Sequence, residues 1–249
     1  MAGASVAMAW PGGEGPPAAP ATGRRFRDLT VRTVAGVVLA ALALLAILLG
    51  PWGVVVLTGV VLGASAAEWR RLMAHGMSKG WATAGGVYLV LAALSFCYIY
   101  FGPTLQNVEE LARNSLLWFL AIVVANDCLA YGVGRVVGGP RLAPRISPKK
   151  TWSGAVGGIV AAGLAAAGVS LAMDAASPLL LGLAGMVLAA IAQVGDLAES
   201  RLKRVVGVKD SGKVIPGHGG VLDRVDGLAA AAIALAAAQA VTGAPALQW

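Results

Sequence analysis

The sequence predicts an all-α, polytopic integral membrane protein with about seven transmembrane helices and a cytoplasmic N-terminus. Of its 249 residues, 58% are hydrophobic and 12% are charged, whereas a soluble domain usually carries about 25% charged residues. The mean hydropathy is +0.77. Two further observations support the same fold class: a series of long uncharged runs, and an uneven distribution of Lys and Arg between them.

Seven apolar runs divide the chain, and each approaches the roughly 20 residues that an α-helix needs to cross the hydrocarbon core. Their continuity excludes the strands of a membrane barrel, in which apolar and polar residues would alternate. The first two runs abut at Gly50-Pro51, which predicts a tight turn between two short spans. The runs are residues 34–49, 52–67, 81–101, 116–133, 154–173, 179–194 and 221–241.

The basic residues give the arrangement its direction. With the N-terminus in the cytoplasm, 18 of the 19 Lys and Arg residues fall in cytoplasmic segments, and only Arg113 falls outside. Because positive charge is retained on the cytoplasmic side, this bias supports seven spans with the C-terminus outside. It also accounts for the net charge of +7 without a nucleic-acid partner, since no basic patch interleaves with aromatic residues.

The chain divides into a tail and one membrane domain. Residues 1–23 are rich in Gly, Pro and Ala, which predicts a disordered N-terminal tail. Residues 24–249 form a single multi-span domain, whose informative motifs lie within residues 126–227. Two long basic loops in that part, 135–153 and 196–220, differ from the others because carboxylates, Gly and Pro accompany their cations.

Two sets of polar residues, mostly acidic, stand at helical spacing at the cytoplasmic ends of the last two spans. Asp196, Glu199 and Ser200 lie at i, i+3 and i+4, and Asp223 and Asp226 lie at i and i+3. Each set therefore shares a helix face. A carboxylate near hydrocarbon is costly unless it is paired, hydrated or metal-bound. Oxygen ligands from two helix ends predict a hard cation such as Mg²⁺, which often shares its shell with substrate phosphates.

A second interpretation of these acids stays open. Asp223 and Asp226 also suit a helix N-terminus, where negative charge is favourable. The acids of the preceding span are able to pair with Arg201 or Lys203 on the same helix. The gathering of four carboxylates around one basic loop favours the cation site over this alternative.

The loop between the acidic sets has the composition of a polyphosphate site. Gly219 and Gly220 allow backbone N–H groups to approach an anion, and the following helix offers the positive end of its dipole. His218 is a candidate acid/base group or phosphate donor, with a hydrogen-bonding role inside the loop as the alternative. Four basic residues complete the loop: Lys203, Arg204, Lys209 and Lys213.

The other long loop, which contains ISPKKTW, carries a second set of candidates. Asp127 precedes it, near the cytoplasmic end of the fourth span. Ser147-Pro148 predicts a turn. The residues between this turn and the fifth span are Lys149, Lys150 and Thr151. Topology alone explains the two lysines as retained charges, but it does not explain the turn beside them.

Together these motifs resemble those of the phosphatidate cytidylyltransferases, the CDP-diacylglycerol synthases. The stretch SRLKRVVGVKDSGKVIPGHGGVLDRVD, residues 200–226, is similar to the C-terminal signature of that family. QVGDLAES, ISPKKTWSG and NDCLAYGVGR resemble its upstream motifs. One departure is Ser153, which stands where the family usually has Glu. The change weakens substrate or metal contacts, or is neutral if that Glu only caps the fifth span, since Ser also caps helices.

The resemblance implies the reaction of CTP with phosphatidic acid to give CDP-diacylglycerol and pyrophosphate in phospholipid biosynthesis. It implies Mg²⁺ as a cofactor and leaves a second cation open. The implied partners are CTP, phosphatidic acid and the lipid bilayer, with a homodimer left open and no nucleic acid. The implied location is the cell inner (cytoplasmic) membrane, with the active site of this multi-pass protein facing the cytoplasm.

The resemblance and the charge pattern together assign candidate roles. The expected catalytic residues are Asp196, Asp223, Lys203, Lys209 and His218. The expected metal ligands are Asp196, Asp223, Asp226 and Glu199. The expected substrate-binding residues are Asp127, Ser147, Lys149, Lys150, Thr151, Ser200, Arg204, Asp210, Gly219, Gly220 and Arg224.

Two other functions stay open. A CTP-dependent kinase acting on a polyprenol or phytol would use similar membrane Asp and Lys residues, but it would release CDP. An ion-coupled transporter also carries acids within its spans, although at mid-bilayer and in both halves of the chain. Here the acids cluster at cytoplasmic helix ends in the C-terminal half, and the N-terminal spans offer only Glu68.

Overall fold

A computed structural model describes residues 22–102, 109–175, 177–212, 214–215 and 219–249. Of the predicted tail, only its end at Thr22 is described, and α1 begins there. Within the described residues the chain forms seven α-helices and one β-hairpin. The elements are α1 (Thr22–Leu48), α2 (Pro51–Met73), α3 (Lys79–Phe101), α4 (Glu109–Val136), β1 (Arg141–Ala143), β2 (Ser147–Thr151), α5 (Trp152–Ala172), α6 (Pro178–Val205) and α7 (Leu222–Thr242).

Six of these helices, α2 to α7, are long and apolar enough to cross a membrane. The prediction of an all-α polytopic membrane protein is therefore confirmed. The first of the seven predicted spans falls short of this length, because the apolar stretch of α1 is confined to Val34–Leu48. The reason is in the sequence, where Arg and Asp residues occupy the first half of that helix.

Local sequence signals set the helix ends. Gly50 adopts φ 73°, a conformation that glycine reaches without a steric cost, and Pro51 then starts α2 in the first turn, where its missing N–H needs no partner. This is the tight turn predicted between the first two runs. The start of α6 also carries a proline, Pro178, after Ser177, whose Oγ accepts a hydrogen bond from Leu180 N at 3.4 Å.

The loop after α4 forms an antiparallel hairpin that was not predicted from the sequence. In β1 and β2, Arg141 lies opposite Thr151 and Ala143 lies opposite Ser147. The turn predicted at Ser147-Pro148 is wrong, because both residues lie in β2 and the chain turns at residues 144–146. Each strand pairs along one edge only, so Pro148 is tolerated in β2 although it lacks an N–H. The hairpin contacts α4, α5 and α6, and it thereby holds a basic loop against the end of the bundle.

The core lies where α4 meets α5, α6 and α7. Trp118 and Ile122 of α4 are fully buried, and Trp118 Nε1 donates to Ala166 O of α5 at 3.1 Å. Small residues bring the helices close, as membrane helices require: a Cβ at Gly158 would lie 2.8 Å from Ala130 Cβ. Large apolar side chains on the outer helix faces are exposed, as expected where lipid surrounds the bundle.

Candidate active site

A cavity of about 820 Å³ lies at one end of the bundle. Its wall is formed by the last turns of α4, the hairpin, the first turn of α5, the second half of α6 and the first turns of α7. The structure thereby brings together candidates from all four sequence motifs. The predicted site residues that line the cavity are Asp127, Lys149, Lys150, Thr151, Asp196, Lys203, Asp210, Asp223, Arg224 and Asp226.

Two buried amides form the floor of the cavity. Gln193 Nε2 of α6 donates to Asn126 Oδ1 of α4 at 2.7 Å and to Ala155 O of α5 at 3.0 Å. A satisfied polar network of this kind fixes the relative position of the elements that it joins. Both amides lie within the sequence motifs, but neither was among the predicted site residues. They hold in register the helices that carry Asp127 and Asp196.

Lys203 joins α6 to α7 at the cavity wall. Only 6% of the residue is exposed, and its Nζ donates to Glu199 Oε1 at 3.1 Å and to Asp223 Oδ1 at 2.6 Å. The pairing of Glu199 with a lysine on its own helix is the alternative that the sequence left open. Two carboxylates share one ammonium, so removal of the cation would leave both acids uncompensated in a buried place.

Asp223 is the centre of the contacts at the start of α7. Beyond its ion pair with Lys203, its two oxygens accept from Ser211 N at 3.1 and 3.0 Å, and Oδ2 accepts from Gly220 N at 2.8 Å. The Gly220 N–H, which we expected to approach a bound anion, thus donates to the protein's own carboxylate. Gly219 adopts φ 84°, and a Cβ there would lie 2.8 Å from Asp223 Oδ2. These glycines fit the loop around Asp223.

An ion pair connects the hairpin to α6. Lys150 Nζ of β2 bonds to Asp196 Oδ2, and Ser200 Oγ donates to Asp196 Oδ1 at 3.2 Å. The contact between Asp196 and Ser200 is the one that their i, i+4 spacing predicts. The pairing with Lys150 joins positions 46 residues apart in the chain, so it depends on the hairpin rather than on local spacing.

Two other cavity carboxylates are less engaged. Asp226 Oδ1 accepts from the adjacent Gly227 N at 2.7 Å, and Asp127 Oδ1 accepts from Asn126 Nδ2 at 3.1 Å. Among the residues that the structure describes, neither acid forms an ion pair. Ionised carboxylates have about four lone-pair sites each, so both have capacity to bind a positively charged ligand.

The donors in the cavity fit a hard cation in kind. They are carboxylate oxygens, which Mg²⁺ prefers, and soft thiolate ligands are absent from the described lining. Within the described ranges, no three His, Cys, Asp or Glu side chains form a group able to hold a metal ion by themselves. Mg²⁺ commonly takes one or two carboxylates and completes its shell with water and substrate phosphates. The residues therefore suit Mg²⁺ that binds together with a polyphosphate.

Basic side chains surround the mouth of the cavity. Arg135, Arg141 and Lys149 line it and are exposed. Arg135 NH1 donates to Tyr131 OH at 2.9 Å, and Arg141 NH1 donates to Lys149 O at 3.4 Å. Both arginines belong to the long basic loop 135–153, but neither was among the predicted site residues. Their position gives the cavity a cationic mouth above an interior rich in carboxylates.

Several predicted residues lie away from the cavity lining. Arg204 Nε donates to Ile146 O and its NH1 donates to Val208 O, each at 3.3 Å, so this side chain braces the hairpin turn. His218, the expected acid/base group, lies outside the described residues, as does Lys213. The other predicted residues absent from the lining are Ser147, Glu199, Ser200, Lys209, Gly219 and Gly220.

Ser153, the departure from the family pattern, does not cap α5. Thr151 is the N-cap, and its Oγ1 accepts from Gly154 N at 3.1 Å. Ser153 Oγ instead donates to Gly138 O in the loop after α4. The side chain at this position thus joins the start of α5 to the cavity mouth, where Gly138 is part of the lining.

The part of the chain that forms the cavity matches a known protein family. The sequence model described as "Cytidylyltransferase family" matches residues 77–241. The matched region includes the hairpin, α4, α5 and α6, and it ends in the last turn of α7. Every element of the cavity wall therefore lies within the match.

Curated proteins named "Phosphatidate cytidylyltransferase" are similar to the chain. The one from Brucella abortus is 46% identical over 159 residues, which cover 63% of this chain and 56% of the relative. The one from Rickettsia felis is 41% identical over 132 residues, covering 50% and 58%, and that from Bacillus subtilis is 39% identical over 142 residues, covering 56% and 52%. The chain spans about half the length of the curated relatives it matches.

Proposed function

Because the chain belongs to the cytidylyltransferase family, we propose that it makes CDP-diacylglycerol and pyrophosphate from CTP and phosphatidic acid. The observation that carries the proposal is the cavity, which combines a cationic mouth with an acidic interior at one end of a membrane-spanning bundle. Such a site suits a polyphosphate nucleotide that must meet a lipid headgroup at the membrane surface. The names of the similar proteins support phosphatidic acid as that lipid.

The proposed reaction needs alignment more than proton transfer. An oxygen of the lipid phosphate bonds to the α-phosphorus of CTP. The bond from that phosphorus to the oxygen bridging to the β-phosphorus breaks, and pyrophosphate leaves with the electron pair. The attacking oxygen is already an anion, so no general base has to deprotonate it. The barrier then falls mainly through orientation and charge neutralisation.

Four cations that line the cavity differ in their contacts. Arg141 and Lys149 at the mouth are exposed and form no ion pair among the described residues, whereas the partly exposed Lys150 lies deeper and pairs with Asp196. Lys203 is committed to two carboxylates. We assign phosphate binding to Arg141, Lys149 and Lys150, and the fixing of the acidic residues to Lys203.

Mg²⁺ is the cofactor that the carboxylates suit. Asp226 would hold it, because it lines the cavity and forms no ion pair among the described residues. Asp196 also lines the cavity, and it would become available once Lys150 moves from it to a phosphate of CTP. Asp223 and Glu199 are already bound to Lys203, so they would support the metal-binding acids without contacting the metal. When bound, Mg²⁺ supplies charge neutralisation and orientation of the phosphates. The further carboxylate of Asp127 is compatible with a second cation.

We place the protein in the cell inner membrane with the cavity facing the cytoplasm. The excess of Lys and Arg on the cavity side of the spans supports this orientation. The lipid would then enter from the cytoplasmic leaflet, with its headgroup at the depth of the cavity. A homodimer is compatible with this arrangement.

The nucleotide product tests the proposed function. Purified protein with CTP, Mg²⁺ and phosphatidic acid is expected to form CDP-diacylglycerol and to release pyrophosphate only when the lipid is present. Thin-layer separation of labelled nucleotide and lipid products measures both. Samples without lipid, and a heat-denatured sample, serve as controls.

Each rival function has its own outcome in the same assay. A CTP-dependent lipid kinase would release CDP and leave a phosphorylated alcohol, with no pyrophosphate. The absence of turnover by a folded sample, across several acidic lipids, would reject the enzyme. Uptake of an ion or solute by sealed vesicles would then favour the transporter.

Labelling of single cysteines tests the orientation. With the native Cys97 and Cys128 replaced by Ala, cysteines introduced at Arg145 and at Asp174 lie at opposite ends of α5, and both positions are exposed. We expect a membrane-impermeant maleimide to label position 174 in intact cells and position 145 only after the membrane is opened. The reverse pattern would contradict a cytoplasmic cavity.

A further inference from the structure

Glu68 of α2 is a buried acid that the proposed chemistry does not use. Only 1% of the residue is exposed, and it is not part of the cavity lining. Its carboxylate accepts from Ser211 Oγ at 2.9 Å, from Val221 N at 3.0 Å and from Leu222 N at 2.9 Å. All three donors lie where the chain enters α7. We call the described residues there, 211–212 and 219–222, the entry segment.

These contacts cap α7 from another helix. Val221 is the N-cap residue and its side chain provides no capping hydrogen bond. A helix leaves its first N–H groups without intrahelical partners, and its N-terminus attracts negative charge. Glu68 satisfies both requirements from a position 153 residues earlier in the chain than Val221. The donors and the dipole together explain how a carboxylate is tolerated in this buried place.

The segment is fitted closely around this carboxylate. A Cβ at Gly212 or at Gly220 would lie 2.8 Å from Glu68 Cδ, which is nearer than side-chain atoms approach one another. Leu222 packs in the same cluster as Leu72 of α2 and Leu89 of α3. The absence of side chains at the two glycines is what allows the backbone to enclose Glu68.

The same segment is also held by Asp223 on its other side. Ser211 offers its hydroxyl to Glu68 and its N–H to Asp223, and the N–H of Gly220 goes to Asp223 while that of Val221 goes to Glu68. Alternate donors of one loop therefore bind two different carboxylates. Movement of either acid would shift the loop and, with it, the other acid.

We propose that Glu68 is a positioning residue for the reaction: it fixes the entry segment and the start of α7 so that Asp223 and Lys203 keep their places at the cavity wall. The inference rests on the proposed function, although the cap itself does not depend on it. Glu68 does not touch substrate in this scheme. Its effect reaches the cavity through the segment.

Glu68→Gln tests the proposal with a change of charge and almost none of shape. The amide has one acceptor oxygen, whereas Val221 N and Leu222 N donate to different carboxylate oxygens. In either amide orientation, one backbone N–H faces an NH₂ group and loses its acceptor. We expect kcat to fall by about 10- to 100-fold, the effect of a small misplacement in an active site. KM for CTP should change little, because Arg141 and Lys149 at the mouth are untouched.

Ser65→Ala is the matched control. Ser65 lies on α2 three residues before Glu68, it is equally buried, and its Oγ has no hydrogen-bond partner among the described residues. Its replacement should leave kcat and KM unchanged. If Glu68→Gln matches this control in kcat, or raises KM without lowering kcat, the positioning role is rejected.

A second variant moves the carboxylate while keeping its charge. Gly212→Ala places a methyl group against Glu68, and we expect the same fall in kcat. Gly63→Ala on α2 is its control, since a Cβ there meets nothing within 4 Å. This pair decides the question even if Glu68→Gln does not fold. Full kcat in Gly212→Ala, with unaltered thermal stability, would overturn the proposal.

Hydrogen exchange separates failure of this inference from failure of the proposed function. In Glu68→Gln, the backbone amides of Val221 and Leu222 should exchange at least about tenfold faster than in the parent protein, since they lose acceptors. This measurement needs no substrate. Unchanged exchange in Glu68→Gln would show that Glu68 does not cap α7 and would overturn the inference. Faster exchange in the variant, with no cytidylyltransferase activity in the parent protein, would overturn the proposed reaction only.

Discussion

Replacing Lys203 with Met is expected to destabilise the protein more than any other single change at the site. The ammonium lies between Glu199 and Asp223 with 6% of the residue exposed. Breaking a buried ion pair by removal of one partner costs about 3–5 kcal/mol of unfolding free energy, and here two acids lose their counter-ion together. For a chain of this length that corresponds to a fall of roughly 10 °C in thermal midpoint. The midpoint in detergent measures it.

Arg201→Met provides the matched control, because Arg201 lies on the same helix, two residues away, and is exposed. Its replacement should leave the midpoint nearly unchanged, as expected for a surface charge. The double variant Lys203→Met with Glu199→Gln should recover part of the loss, since one of the two stranded charges is removed. A midpoint for Lys203→Met equal to that of Arg201→Met would show that the bridge carries no stability.

The apolar runs predicted the helices well because the thickness of the membrane dictates their minimum length. The helix ends were harder to predict. The run 179–194 belongs to α6, which extends to Val205, and the run 116–133 belongs to α4, which begins at Glu109. Charged residues end an apolar run without ending a helix, so the helices continue beyond the hydrocarbon. The hairpin was missed because its pairing of Arg141 with Thr151 leaves no alternating apolar pattern.

The candidate site was predictable where contacts are local. The i, i+4 spacing placed Ser200 beside Asp196, and the motifs identified most of the charged lining. Contacts between helices were not predictable in this way. The choice of Asp196 as the partner of Lys150, and of Asp223 as that of Lys203, depends on how the helices pack. Glu68 was dismissed for the same reason, since nothing near it in sequence indicates donors more than 140 residues away.

Replacing Asp226 with Asn is expected to abolish most turnover while the protein stays folded. The amide oxygen of Asn can still accept from Gly227 N, which is the contact that the carboxylate makes at 2.7 Å, so the local structure should persist. The negative charge is lost from the cavity. Charge stabilisation by a bound metal is worth several kcal/mol, and each tenfold in rate corresponds to about 1.4 kcal/mol, so we expect a fall of about 100-fold or more in kcat. A higher Mg²⁺ requirement should accompany it.

Asp223→Asn distinguishes the two acids of the last helix. Its carboxylate binds Lys203, Ser211 N and Gly220 N at once, and an amide cannot serve all of these donors. This variant should therefore lose thermal stability as well as turnover, whereas Asp226→Asn should lose turnover alone. Asp174→Asn, an exposed acid in the loop between α5 and α6, controls for loss of a charge. Turnover in Asp226→Asn within about threefold of the parent, at saturating Mg²⁺, would be too small a change for the loss of a metal ligand and would leave Asp196 as the proposed ligand without Asp226.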